Sequence, residues 1–365
     1  MDWRYGEYDA WAEGLKKLLE LLSKVFDQLV VALDGDVDQA LEVLEQLGAR
    51  QKWFDERFGI EDFKRWLEQR GTIERAGQGA MTLTKKGEQG LRTTALEPMF
   101  AAMRRGAGGD HRVPAAGTGG ERQAESRAWE FGDELDRLDP VATLKAATLR
   151  AGIDEIQITE DDLRIHETEH QSSMATVLLI DVSHSMVLYG EDRITPAKQV
   201  ALGLCELITT RFPKDSLDVC LFGDTAWRVS MEEIPYLSAG PYHTNTRDGL
   251  RLARDILRKK RQQNRQIVML TDGKPSALTE PDGEIYKNPF GLDRRVVNKT
   301  LEEAEACRRL GIPITTFMLT SDPLLVEFIE DFTRVNHGRA YYSQLDRLGA
   351  FVLVDYVRNR RGPIR

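Results

Sequence analysis

Nowhere in the sequence does an apolar run approach the roughly 20 residues that a membrane-spanning helix needs. The first residues, MDWRYGEYDAW, also lack the basic start and short apolar stretch of a secretory leader, so a cytoplasmic protein with no membrane contact is expected. Cysteine is scarce: Cys205, Cys220 and Cys307 are the only three among 365 residues. They lie far apart in apolar or helical surroundings, which argues against a disulfide framework or a zinc knuckle and suits packed, reduced thiols. A phosphate-binding G-x-x-x-x-G-K-[ST] loop is missing, because Gly273-Lys274 is followed by Pro275 and lacks the upstream glycine. Use of ATP by that route is excluded. Positive charge is in deficit as well, and a net charge of −9 gives nucleic acid no general attraction.

Histidine is sparse, six in all, yet two of the six sit in His166-Glu167-Thr168-Glu169-His170, the H-E-x-x-H pattern of many zinc proteases. That pattern works only on a helix, where residues four apart share a face and reach one tetrahedral ion. Around it only Leu163 and Ile165 are apolar, two apart, which is strand spacing. In a strand the two imidazoles stand roughly 13 Å apart, too far for one ion, and Glu167 points the other way. The other histidines, His111, His184, His243 and His337, sit in unrelated settings. A solvated β-edge is the better reading.

The chain is long enough for two domains. Leu15, Leu18, Leu19, Leu22, Val25, Phe26 and Leu29 recur at helical steps, and a second helix is expected from Val37 to Leu47, ended by Gly48. From Ile60 to Leu96 the order reads helix, short strand, glycine turn, short strand, and a helix after Gly87. This order resembles a winged helix, a fold that binds DNA through a basic recognition helix or serves as a protein docking module. Glu61, Asp62, Glu68 and Glu74 dilute the basic residues here, so nucleic acid is not the expected partner. Residues 1–104 are thus read as a mainly helical, winged-helix-like domain. Residues 105–127, rich in glycine and polar side chains, read as a flexible linker, and 128–170 as a connecting helix, broken at Pro140, with edge strands.

From 171 to 365 the text alternates. The apolar runs MATVLLID, SLDVCLF, RQIVMLTD and IPITTFMLT are separated by helical stretches, which predicts an α/β domain with a mainly parallel sheet covered on both faces. Its site should lie outside the carboxyl ends of the strands. There stand Asp181-Val182-Ser183-His184-Ser185 after the first strand, Thr244 before a helix, and Thr271-Asp272-Gly273 after RQIVML. Three hydroxyls and two carboxylates make an oxygen-only set, the kind a hard divalent cation takes, whereas zinc favours His or Cys. Each residue alone would be an ordinary turn or cap. As a set they point to a metal.

D-x-S-x-S, a lone threonine and T-D-G in this order resemble the von Willebrand factor A (VWA) domain and its metal-ion-dependent adhesion site, over about Ala175 to Arg360. The resemblance implies a Rossmann-like sheet and Mg²⁺ as cofactor, with Mn²⁺ or Ca²⁺ as substitutes. It implies that Ser183, Ser185 and Thr244 coordinate the ion, that Asp181 and Asp272 act mainly through waters, and that one position is left for a partner's Asp or Glu. The phrases DLRIHETEHQSSMATVLLIDVSHSMVLYG, ITPAKQVALGLCELI, RQIVMLTDGKPSA and LVDYVRNRR further resemble bacterial VWA proteins that accompany MoxR-type AAA+ ATPases. That likeness implies a non-enzymatic adaptor holding a client protein while the ATPase remodels it.

Enzymatic alternatives fit less well. A phosphoaspartate enzyme built on Asp181 and Lys274 wants a second acid where Ser183 stands, and Ser183, His184 and Ser185 lack a nucleophile elbow. No catalytic residue is therefore assigned. Two features are candidate partner contacts: the loop Ser276 to Arg295 with Pro289-Phe290, and the arginine-rich end RNRRGPIR.

Overall fold

The computed structural model describes residues 10–106, 126–128, 138–152, 158–166, 173–190, 192–262, 264–272, 274–288, 291–319, 323–342 and 348–360. The predicted first helix is α1 (Ala10–Ala32), with Leu22, Phe26 and Val30 fully buried on one side. The second, α2 (Val37–Gln51), is capped by Asp36, whose carboxylate accepts the Gln39 N–H at 2.9 Å. It does not end at Gly48. It runs on to a left-handed Lys52, and Gly48 serves instead as the place where the Phe54 ring lies against the helix, since a Cβ there would stand 2.1 Å from that ring.

Next come α3 (Ile60–Arg70), the hairpin β1 (Ile73–Arg75) with β2 (Met81–Leu83), and α4 (Lys85–Gly106). The element order matches the winged-helix-like expectation, except that α4 begins at Lys85, before Gly87. Gly87 lies inside it because a Cβ would stand 2.2 Å from the Thr72 carbonyl oxygen.

Residues 110–172 form a small compact unit of their own. Its described part holds β3 (Ser126–Ala128), α5 (Pro140–Ala151) and β4 (Arg164–His166), with β3 and β4 antiparallel. Pro140 starts α5, and Asp139 caps it by accepting the Val141 and Ala142 N–H groups, while residues 129–137, where the expected helix would precede it, lie outside the described residues. Arg150 grips Asp162 through two nitrogens, which together with the Thr159 N–H holds that carboxyl well below the usual range. His166 is in a strand, as its spacing predicted. Glu167 to His170 lie outside the described residues.

The other compact unit joins residues 1–109 to 173–365. Its sheet is built from β5 (Met174–Asp181), β6 (Ser216–Phe222), β7 (Ala226–Val229), β8 (Asn264–Thr271), β11 (Ile314–Met318) and β12 (Arg339–Tyr342). A separate hairpin, β9 (Ala277–Thr279) with β10 (Ile285–Lys287), follows β8. The sheet order is β12-β11-β8-β5-β6-β7, parallel throughout except that β7 runs antiparallel to β6. The four central strands are the four apolar runs of the sequence. The edges β7 and β12 were not anticipated, because both are four residues long and mostly half-buried or exposed, so no apolar period marks them.

Side chains of β5 alternate between two cores. Val177 and Leu179 join Leu250, Ala253 and Leu257 of α7 (Thr246–Arg258), Ala304 and Cys307 of α8 (Arg294–Arg309), and Phe328, Ile329 and Phe332 of α9 (Pro323–Asn336). Leu178 and Ile180 join α6 (Ile194–Arg211) and α10 (Leu348–Arg360). Helices α1 to α4 extend this second core outward, so Leu22, Phe63, Leu91 and Met99 share one apolar cluster with Leu204 and Tyr356. At roughly 1.5–3 kcal/mol for each large apolar side chain removed from water, that continuity binds the amino-terminal helices to the sheet as one body. The separate domain expected over 1–104 is instead an added layer on α6 and α10. All three cysteines are buried and free, and burial pushes their thiols up to about 12. Among the described residues no helix is long and apolar enough to cross a membrane.

Candidate metal centre

β5 has β6 on one side and β8 on the other, and the chain visits them in turn, so its carboxyl end is the point where the strand order reverses. Asp181 closes β5 there, fully buried. One oxygen, Oδ1, accepts the Ser183 N–H at 2.9 Å, and Oδ2 accepts the Thr271 hydroxyl at 2.6 Å. The Ser183 and Ser185 hydroxyls lie 3.1 Å apart, and that of Ser185 donates to Asp272 Oδ1 at 2.7 Å. Thus the ends of β5 and β8 are joined into one hydrogen-bonded set of four of the five predicted residues.

Thr244, the fifth, is held by its backbone. Its N–H donates to the Ser276 hydroxyl at 3.0 Å, and its carbonyl accepts the Ser276 and Ala277 N–H groups. The loop before it is tied to the end of β5, with Gly240 N–H donating to the Val182 carbonyl and His184 N–H to that of Tyr242, both at 3.0 Å. The Thr244 side chain is buried.

Two buried acids at adjoining strand ends are costly. Burial first, and then the Asp272 carboxylate, push Asp181 up to about 7, although bonds from Ser183 and Thr271 pull the other way. A divalent cation would relieve that repulsion, and the donors are hydroxyls and carboxylates, the chemistry of a hard ion. The residues present therefore fit such a group. Among the described residues, no cluster of three or more His, Cys, Asp and Glu side chains offers a site of the other kind.

Sequence reasoning missed three contributors. Thr271 locks Asp181 in place, and Ser276 positions Thr244. Arg193 puts Nη1 2.6 Å from Asp272 Oδ2 and is itself only slightly exposed. Thr271 was visible as the first letter of T-D-G, whereas a single arginine ahead of a helix carries no signal. The stretch Ser276 to Arg295 is not a plain loop. It carries the β9–β10 hairpin with Ala277 and Leu278 buried, Lys287 pairs with Asp224 at 2.6 Å, and Pro289-Phe290 lie outside the described residues.

The fold and this strand-end arrangement define a VWA-type α/β domain. Comparison with known families agrees: residues 174–357 match the vWA domain of Rv0959-like proteins, and residues 121–168 match the third domain of the same proteins. The chain belongs to that family. It is 34% identical over 363 residues to the uncharacterized proteins Rv0959 of Mycobacterium tuberculosis and Mb0984 of Mycobacterium bovis, covering 96% of this chain. It spans about half of their length, 53%. Among solved structures, the PilB minor pilin from Streptococcus sanguinis superposes with a TM-score of 0.41 and 15% identity, covering 55% of this chain and 65% of that one. The vWF domain of the pilus tip protein Mfa5 from Porphyromonas gingivalis gives a TM-score of 0.40 and 13% identity, over 52% of this chain and 96% of that one.

Proposed function

We propose that this chain is a non-enzymatic, Mg²⁺-dependent protein-binding adaptor whose metal site grips an acidic side chain of a client while a cytoplasmic MoxR-type AAA+ ATPase remodels that client. The observation that carries this reading is the joined set Asp181, Ser183, Ser185 and Asp272, with the buried Thr244 held on the adjoining loop. Ser183, Ser185 and Thr244 would hold the ion directly, with Asp181 and Asp272 behind them. When bound, the ion supplies a point of positive charge for a partner's carboxylate. The chain's own residues orient the hydroxyls and hold the two acids in place.

Apolar side chains around this site support a protein partner. Val187 is exposed two residues past Ser185, and Tyr242 is exposed two residues before Thr244. The Tyr242 ring lies over Gly223 and Gly240, and Trp227 meets it edge-on with centroids 6.1 Å apart. Rigid aromatic side chains beside a polar anchor are what interface hot spots are made of.

A DNA-associated role draws on the α3–β1–β2–α4 order. It is disfavoured because α3 opens on Glu61 and Asp62, Arg65 pairs with Asp62, and Arg70 lies over the Trp66 ring. Gel shifts with the full chain should show no salt-sensitive retardation.

The test is affinity purification of wild type and Asp181→Ala in Mg²⁺ buffer, with mass spectrometry of the partners. An ATPase kept by both forms and a client lost from the variant, and lost from wild type in EDTA, is the expected result. Identical partners under all three conditions would overturn the metal-dependent adaptor.

A further inference from the structure

Arg193 stands immediately before α6, where its N–H donates to the Met186 carbonyl at 3.0 Å. Its guanidinium reaches into the candidate metal centre, 2.6 Å from Asp272 Oδ2 and 3.4 Å from the Ser185 carbonyl. Asp272 therefore has one oxygen held by Ser185 and the other by a fixed positive charge. Neither end of this pair faces water freely, since the Arg193 side chain is 12% exposed and that of Asp272 1%.

Charge counting gives this arrangement a consequence. A dication is balanced by the two carboxylates, Asp181 and Asp272, alone. With the Arg193 guanidinium already on Asp272, part of that balance is spent before the ion arrives, in a poorly solvated site. We propose that Arg193 is a built-in competitor of the divalent cation, which keeps cation affinity low in the free chain and links tight cation binding to the arrival of a carboxylate from the partner. The incoming acid supplies negative charge that Arg193 has drawn from Asp272. In this way Arg193 turns a simple metal site into one where ion and acidic ligand bind cooperatively. The inference rests on the divalent-cation reading given above.

Isothermal titration with Mg²⁺ on wild type, Arg193→Gln and Arg193→Lys tests it, with thermal unfolding in EDTA confirming that each protein is folded. Arg193→Gln retains a donor toward Asp272 and removes the charge, and it should bind Mg²⁺ roughly tenfold more tightly. Arg193→Lys keeps the charge and should stay near wild type. A second measurement replaces chloride by acetate at constant ionic strength and free Mg²⁺, which should tighten Mg²⁺ binding to wild type more than to Arg193→Gln. Equal or weaker affinity in Arg193→Gln overturns the competitor role and leaves the metal site standing, and so does wild-type affinity indifferent to acetate. Absence of Mg²⁺ binding in every form overturns the divalent-cation reading itself, and this inference with it.

Discussion

Asp27 is an acid that the fold raises for no visible chemical purpose, and that makes its effect on stability predictable. It sits on α1, buried, with the Thr94 hydroxyl donating to Oδ2 at 2.6 Å. Burial lifts it to about 6, against smaller opposing effects from Thr94 and Arg70. A carboxyl whose folded pKa lies above its unfolded value binds its proton more tightly when folded. Its contribution to stability is thus fully present below about 4 and is lost as pH rises through about 6. Asp27→Asn keeps an acceptor for Thr94 and cannot ionise. Urea unfolding should find it about 2–3 kcal/mol more stable than wild type at pH 8 and no more stable at pH 4. A gap that does not change between the two pH values would mean Asp27 is not the titrating group.

Between elements, the seam joining α4 to α6 and α10 depends on two glycines. A Cβ at Gly203 in α6 would stand 2.4 Å from Met99 Sδ, and one at Gly349 in α10 would stand 2.6 Å from Met99 Cγ. Met99 is thus clamped where larger residues leave no room. Gly203→Val should cost about 1–3 kcal/mol through overpacking. Pairing Gly203→Ala with Met99→Ala should cost less than the sum of the two single changes, because the shortened side chain no longer meets the new methyl. Strict additivity in thermal or urea unfolding would show that the two helices do not meet as described.

On the scale of the whole molecule, an ion pair with one buried end helps tie the first hundred residues to the sheet domain. Lys198 on α6 is fully buried, and its Nζ donates to Asp34 Oδ1 at 2.6 Å and to the Leu237 carbonyl at 3.0 Å. Asp34 occupies the turn after α1 with a positive φ of 52°, and the next residue, Gly35, lies directly against the Tyr236 ring. Lys198→Met removes the charge but leaves Asp34, whose side chain is 48% exposed, able to reach water. The expected loss is therefore about 1–3 kcal/mol, below that of a wholly buried pair. Limited proteolysis should cut the variant first in the turn around Asp34. Unchanged cleavage would place the attachment of α1 and α2 in the apolar cluster alone.

Much of this protein was determined by its sequence locally. The four central strands followed from apolar runs, because a strand covered on both faces must be apolar at successive positions, as β5 is from Met174 to Ile180 with Thr176 the one exception. The strand-end acids and hydroxyls were legible for a related reason: a parallel sheet delivers the carboxyl ends of its strands to one edge. Tertiary structure decided what depends on approach between distant segments. Short edges such as β7 and β12 form only because β6 and β11 are there to pair with. Gly48 and Gly87 look like helix boundaries in the text and turn out to be points of close contact inside helices. The placing of Arg193 against Asp272 joins residues 79 apart in sequence, and no local pattern encodes that meeting. The amino-terminal helices carry their apolar face in the sequence, but only packing on α6 and α10 reveals that the face is spent on the sheet domain rather than on a core of its own.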